Sequence, residues 1–289
     1  MIDKLILGTV QLGIPYGINN TIGKPNLSQV KAILNLAKEK GIQTLDTAKA
    51  YGNASELIGN YQKEFNFFFK VISKFHIGNV KLEENCISEL KALNIKQFEA
   101  YLFHSFYDFE TASLEIINSL KHLKKTGLIN KIGVSIYGND QFEKAIDSEY
   151  IDIIQLPYNL LDNDYQRGRL IQKAKHNGKE LHVRSVFLQG LFFMNLKTIP
   201  KNIEKLRPYL EKINNVALSE KLTQQELALF YVLKNPLIDK VLIGVDSFEH
   251  LQSNILALEK IKYVQEELIA KINNIKVIET DLLNPVNWN

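Results

Sequence analysis

The chain has 289 residues, 45% hydrophobic and 23% charged, which is enough apolar material for one large core. Its net charge is +3, with 35 Lys and Arg scattered among 32 Asp and Glu, so no basic stripe points to nucleic acid or an acidic membrane. A single cysteine, Cys86, excludes an internal disulfide and a multi-cysteine cluster, and no metal site is expected.

The N-terminal Met1-Ile2-Asp3-Lys4-Leu5 runs straight into an apolar strand without a signal peptide's basic region and long apolar core. No apolar stretch reaches the length of a bilayer-spanning helix, so a soluble cytoplasmic protein is expected. Strand-like runs follow at Leu5–Leu7, Thr44–Asp46, Phe67–Ile72, Ala100–Phe103, Ile132–Val134, Ile151–Leu156, Leu181–Val186 and Val241–Ile243. Amphipathic segments separate most of them, the pattern of strands buried on both faces and joined by right-handed crossovers. In the first such segment, Ser28 is the expected cap, Val30, Ile33, Leu34 and Ala37 form the stripe, and Gly41 closes the helix. Cys86 shares helical spacing with Leu90 and Leu93, which predicts a buried structural thiol.

Further along, Leu114, Ile117, Leu120 and Leu123 predict a helix ended by Gly127, with two more at Gln141–Ser148 and Tyr165–Asn177. Phe187 to Pro200 reads as a long rim loop whose apolar residues either wall a pocket or pack on the barrel. Thr223-Gln224-Gln225-Glu226 has capping-box spacing before the apolar run Leu227–Leu233, and Ile261 to Lys276 reads as a final helix. Trp288 is left open between folding back and staying mobile. No linker or composition break divides the chain, so 1–289 is expected to form one α/β domain, a (β/α)8 TIM barrel.

Three consecutive apolar runs end on ionisable residues: Asp46 with Tyr51 on the loop after it, then Lys74, then His104. In a parallel barrel these side chains converge on one rim. An ammonium near a phenol oxygen favours the phenolate, and a buried carboxylate keeps that ammonium charged and placed. Asp46 and Lys74 are therefore expected to tune Tyr51 as a proton donor, with His104 orienting a carbonyl oxygen or relaying a proton. Such a site serves an oxygen gaining charge as hydride reaches carbon, and no side chain supplies hydride. No Gly-x-Gly-x-x-Gly follows the first strand and no Walker-type loop occurs, so cofactor phosphates are expected near strands seven and eight.

These residues resemble the aldo-keto reductases of bacterial type. The likeness runs through Leu7-Gly8-Thr9-Val10-Gln11-Leu12-Gly13, Leu45-Asp46-Thr47-Ala48 with Tyr51-Gly52, Ser73-Lys74 and Leu102-Phe103-His104. It continues through Ile132-Gly133-Val134-Ser135, Gln155-Leu156-Pro157-Tyr158-Asn159 and the segment from Leu242-Ile243-Gly244 to Asn254. The resemblance implies a barrel that binds NADP(H) along its rim, with Asp46, Tyr51, Lys74 and His104 as the catalytic tetrad. It further implies that Gly8 and Thr9 lie beside the nicotinamide ribose and that Ser135 and Gln155, with Asn159 nearby, hold the carboxamide. Arg184 falls at the nicotinamide face, where relatives often carry an aromatic residue, and Asn254 at the adenine.

Three departures from the family pattern carry expectations of their own. The hairpin that closes the barrel bottom before strand one is not expected, since few residues precede Leu5. Gly244-Val245-Asp246-Ser247-Phe248-Glu249-His250 has no lysine or arginine for a 2′-phosphate; Asp246 would repel one, leaving Ser247, the helix start and a protonated His250, so NAD(H) stays open beside NADP(H). Ser105-Phe106 follows His104, so family substrate contacts do not transfer.

The expected partner is a small-molecule carbonyl substrate, an aldehyde or a ketone such as a keto-sugar, over a wall drawn from Tyr16, Phe75, Phe106, Tyr107, Phe187 and Phe192. Monomer and homo-oligomer are both open. Two other readings are weighed: a cofactor-binding regulatory or partner-docking barrel with little turnover, and a Schiff-base lyase using Lys74, against which the neighbouring Asp46 argues.

Overall fold

Short strands buried on both faces leave no solvated edge, and here they close on themselves. β1 (Leu5–Gly8), β2 (Thr44–Asp46), β3 (Lys70–Phe75), β4 (Phe98–Phe103), β5 (Ile129–Ser135), β6 (Ile153–Pro157), β7 (Glu180–Arg184) and β8 (Lys240–Gly244) form a closed barrel in sequence order. Every pairing is parallel, and β8 returns to β1 with Gly8 opposite Gly244. This is the expected (β/α)8 barrel. The computed structural model describes residues 1–18, 20, 23–78, 81–265 and 267–288.

Two apolar clusters divide the core. Ile6, Ile72, Ala100, Leu102 and Ile153, with Leu242 against them, pack inside the barrel, and a much larger cluster fills the space between sheet and helices. Side chains on a strand alternate between faces, so Lys74 shares the inner face with Ile72, and the chain leaving β4 puts His104 above Leu102. Inner apolar residues at mid-barrel thus leave polar residues at the C-terminal rim, where barrel sites are built.

Several local expectations shift. Phe67 and Phe69 precede β3 rather than opening it: their rings meet edge to face at 4.9 Å, Phe69 packs on Tyr61, and its N–H donates to Gln62 Oε1 at 2.8 Å. The first long helix, Leu27–Glu39, is capped by Asn26 instead of Ser28. Asn26 Oδ1 accepts from Gln29 N at 3.0 Å and Gln29 Oε1 accepts from Asn26 N at 2.8 Å. The capping box at Thr223 and Glu226 forms as read and opens the helix Gln224–Lys234.

The segment expected as a loop after β7 is a series of tight 3₁₀ turns, Leu188–Phe193, Leu196–Thr198 and Lys201–Leu206, leading into an unforeseen helix, Arg207–Ser219. Leu188, Leu191 and Phe192 are buried, so these residues pack onto the barrel. The final helix is not continuous from Ile261 to Lys276: one helix ends at Ile261, another spans Glu267–Asn273, and Glu266 lies outside the described residues. Trp288 folds back, buried, with Nε1 donating to Leu282 O at 2.9 Å. At the opposite end of the barrel, a 3₁₀ turn at Ile2–Lys4 precedes β1 and is tied down by Lys240 Nζ, which donates to Asp3 O at 2.7 Å. Among the described residues no strand precedes β1, and no helix is long and apolar enough to cross a membrane.

Candidate active site

The rim gathers Asp46, Tyr51, Lys74 and His104. Asp46 ends β2 and Lys74 lies one residue before the end of β3; the two form a buried ion pair, each side chain 3% exposed. Lys74 Nζ also approaches Thr47 O at 3.4 Å. Burial opposes the charged lysine, but the Asp46 carboxylate and the Tyr51 oxygen together outweigh it and hold the ammonium above its ordinary range. A contact not foreseen from the sequence completes the carboxylate: Gln155 Nε2 on β6 donates to Asp46 Oδ2 at 2.9 Å.

Tyr51 reaches this pair from the loop after β2, and Lys74 Nζ stands 5.4 Å from its ring centroid. Two glycines permit that loop. A Cβ at Gly13 would fall 1.7 Å from Tyr51 O, and Gly52 adopts φ +57 with its own Cβ position 2.6 Å from Gly13 O. The chain after β1 therefore lies directly against the backbone that carries the phenol. Thr9 fastens the same corner, its N–H and Oγ1 both donating to Asp46 O at 3.0 Å.

His104 follows β4 and meets the Tyr51 ring edge to face, centroids 5.8 Å apart at 86°. Burial, with the charges of Lys74, His76 and Arg184 adding to it, pushes its imidazole down to about 3, so it is neutral across the physiological range. Its Nδ1 is buried without a hydrogen-bond partner among the described residues. Behind it, His76 stacks at 4.5 Å and 17°. His76 Nδ1 lies 2.7 Å from Asp108 Oδ2, and Asp108 also accepts from Ser105 Oγ at 2.6 Å and Ile77 N at 3.0 Å. Residues 76 and 108 are 32 apart, and no spacing in the sequence links them.

The residues expected to hold a cofactor spread over the same rim. Gly8, Ser135, Arg184 and Gly244 end β1, β5, β7 and β8, Thr9 follows β1, and Gln155 lies in β6 opposite Ser135. Gln155 Oε1 is buried and unpartnered among the described residues. The Arg184 guanidinium stacks on Tyr137, 4.1 Å from its centroid, and its Nη2 donates to Ile136 O at 3.0 Å. Asn159 is fully buried, its Oδ1 accepting from Leu161 N and Asp162 N and its Nδ2 donating to Ser185 O at 3.1 Å, just after β7. Ser247 caps the helix Phe248–Ile261, Oγ accepting from His250 N at 3.2 Å. His250 pairs with Asp246; that bond raises the histidine and holds the carboxyl below its usual range. Asn254 is 3% exposed and its Oδ1 accepts from Gln225 Nε2 at 2.7 Å.

The aromatic wall is thinner than expected. Phe75 points away from the barrel interior into the outer core, between Tyr101 at 4.6 Å and Phe103 at 4.8 Å, because alternation along β3 puts it opposite in face to Lys74. Phe192 is also buried, Phe187 packs at 5.3 Å on Phe193, Tyr107 is largely exposed, and Tyr16 accepts from Gln189 Nε2 at 3.2 Å.

A family profile described as the aldo/keto reductase family matches residues 4–276. The chain is similar to an NADH-specific methylglyoxal reductase of Escherichia coli, 24% identical over 258 residues covering 75% of this chain and 79% of the relative. It is also similar to an L-glyceraldehyde 3-phosphate reductase of Escherichia coli, 24% identical over 299 residues covering 88% and 86%. The fold is shared with the holo form of a Bacillus halodurans aldo-keto reductase at a TM-score of 0.76, 19% identity, covering 95% of this chain and 92% of that one.

Proposed function

We propose, from the premise that this chain belongs to the aldo/keto reductase family, that it reduces an aldehyde or ketone with Tyr51 as general acid, taking 1–289 as one catalytic unit. The coarser activity follows from the family: the chain is an NAD(P)H-dependent oxidoreductase acting on a small-molecule carbonyl. The observation that carries the finer reading is the buried Asp46–Lys74 pair set under the Tyr51 ring with His104 at its edge.

The rim residues fit a nicotinamide cofactor on one count independent of the family: Gln155 Oε1 is an orphaned buried acceptor beside Ser135, suited to a carboxamide N–H. Ser135 and Gln155 would hold that amide, Gly8, Thr9 and Arg184 would flank the ring and ribose, Gly244 and Ser247 with the helix start would meet the phosphates, and Asn254 would lie toward the base. When bound, the reduced nicotinamide supplies hydride.

The chain's own groups handle the proton. The Tyr51 hydroxyl gives its proton to the carbonyl oxygen as charge builds there, and the Lys74 ammonium favours the negative charge left on the phenol. Asp46, itself held by Gln155, keeps Lys74 charged and in place. His104 is neutral, so it offers a hydrogen bond that orients the carbonyl oxygen without competing as a proton source.

NADH is the proposed preference over NADPH. Asp246 puts a carboxylate next to Ser247 at the helix start and pairs with His250 through Nδ1, offsetting the histidine's charge, so the segment offers no net positive charge to a 2′-phosphate. Fluorescence titration with NADH and NADPH, followed by turnover of 4-nitrobenzaldehyde, tests both statements. Tyr51→Phe is expected to bind cofactor as wild type does and lose at least a hundredfold in kcat, within the usual contribution of a general acid. Unchanged turnover in Tyr51→Phe would overturn the acid assignment, and tighter binding of NADPH than of NADH would overturn the cofactor preference.

A further inference from the structure

Stacked on His104 stands a second imidazole, His76, that the reduction itself does not use. Asp108 is 6% exposed and accepts three hydrogen bonds, from Ser105 Oγ, Ile77 N and His76 Nδ1. Those bonds outweigh burial and hold the carboxyl below its ordinary range. An ionised carboxylate has no hydrogen to offer, so the hydrogen between Asp108 and His76 belongs to Nδ1, which fixes the tautomer and leaves Nε2 as the free nitrogen. That nitrogen makes no hydrogen bond among the described residues, and the His76 side chain is 55% exposed.

The placement is as specific as the tautomer. Tyr51, His104 and His76 follow one another by ring contact, 5.8 Å and then 4.5 Å between centroids, from the buried ion pair to an exposed imidazole. A substrate whose carbonyl oxygen is shared by Tyr51 and His104, and whose chain extends past the His104 ring, would bring the substituent on its neighbouring carbon toward His76. We propose that His76, held by Asp108, reads a hydroxyl on that carbon, so that the substrates are hydroxylated aldehydes or ketones rather than apolar ones. This rests on the reading of Tyr51 and His104 given above. Asp108 ties the loop through Ser105 and Ile77 as well as through His76, and the exposed imidazole it holds is a preorganised partner for a polar ligand. A site that hydrogen-bonds a substrate hydroxyl discriminates against the analogue lacking it by the bond lost, a modest factor at an imidazole 55% exposed, whose nitrogen returns to water.

The test compares kcat/KM for glyceraldehyde and for 2-methylbutanal, which carries methyl groups where glyceraldehyde carries its two hydroxyls, on the full chain with its nicotinamide cofactor. In His76→Phe, which keeps the stack on His104 and removes the nitrogen, the ratio of glyceraldehyde to 2-methylbutanal is expected to fall about tenfold, mainly through KM for glyceraldehyde. His76→Gln, which returns a polar end, is expected to recover part of it. A ratio within twofold of wild type in His76→Phe overturns the proposal, and so does an equal loss for both substrates, which marks a purely structural role. Tyr51→Phe separates the two readings: if it turns over both substrates normally, the acid assignment fails whatever the ratio does.

Discussion

Behind β3, on the face opposite Lys74, sits a carboxyl whose protonation the fold controls. Glu89 is 4% exposed, its Oε1 accepts from Ser73 Oγ at 2.5 Å, and its Oε2 has no partner among the described residues. Burial pushes it up from 4.5 to about 7, against the Ser73 bond and the charges of Lys49 and Lys74. Between those two values the folded chain keeps a proton that the unfolded chain has released. The contribution to stability is therefore complete below pH 4.5 and is lost as pH rises to about 7. At about 1.4 kcal/mol per pH unit, the gap is worth about 3 kcal/mol.

Glu89→Gln removes the titration while keeping the shape. Any fixed cost of burying the amide is the same at every pH, so the quantity to measure is the change in the variant-minus-wild-type difference. From pH 4.5 to pH 8 that difference is expected to move by about 3 kcal/mol in favour of the variant, which is about 5 °C in thermal midpoint for a chain of this size. Thermal unfolding followed by circular dichroism at pH 4.5, 6 and 8 reads it directly. A difference that stays constant across the three pH values would refute the reasoning.

The sign reverses for His104. Its imidazole is held at about 3 against an ordinary 6.5, so the stability it contributes is present above pH 6.5 and is lost as pH falls toward 3. His104→Gln is expected to lose about 3 kcal/mol less than wild type between pH 7.5 and 4.5, read as urea midpoints; matching losses would contradict the assignment of a neutral buried imidazole. Cys86 is fully buried and its thiol is pushed up to about 12. Iodoacetamide at pH 8 is expected to leave it unmodified in the folded chain and to alkylate it in urea, and rapid labelling without denaturant would show that the helix carrying it opens readily.

The eight strands were legible because most are apolar runs buried on both faces, and the gathering of Asp46, Tyr51, Lys74 and His104 at one rim because three runs in succession end on ionisable residues. What the sequence hid was set by contacts between distant segments. Phe67 and Phe69 look like the start of a strand, yet the aromatic cluster with Tyr61 claims them, and β3 begins only at Lys70. Ser28 and Asn26 are both good caps; Gln29 decides for Asn26 by completing the box. Phe75 looks like a pocket aromatic, yet its parity along β3 is opposite to that of Lys74 and sends it to the outer core. Neither the Gln155 bond to Asp46, 109 residues away, nor the pairing of His76 with Asp108 has a local signature. The helix Arg207–Ser219 did leave one, in Leu210, Ile213 and Ala217 at helical spacing.

Closure of β8 onto β1 also sets a timetable for synthesis. The first strand ends at Gly8 and its second partner ends at Gly244, so on the ribosome β1 waits while 236 further residues are added. At about 5–20 residues per second that is on the order of 10–50 s. Throughout it, one side of β1 has no partner and the growing sheet carries two open, apolar edges. Such edges are templates for wrong pairing between nascent chains. For this chain, the exposure that matters for aggregation is thus concentrated in elongation, and slowing translation ahead of Lys240 would lengthen it.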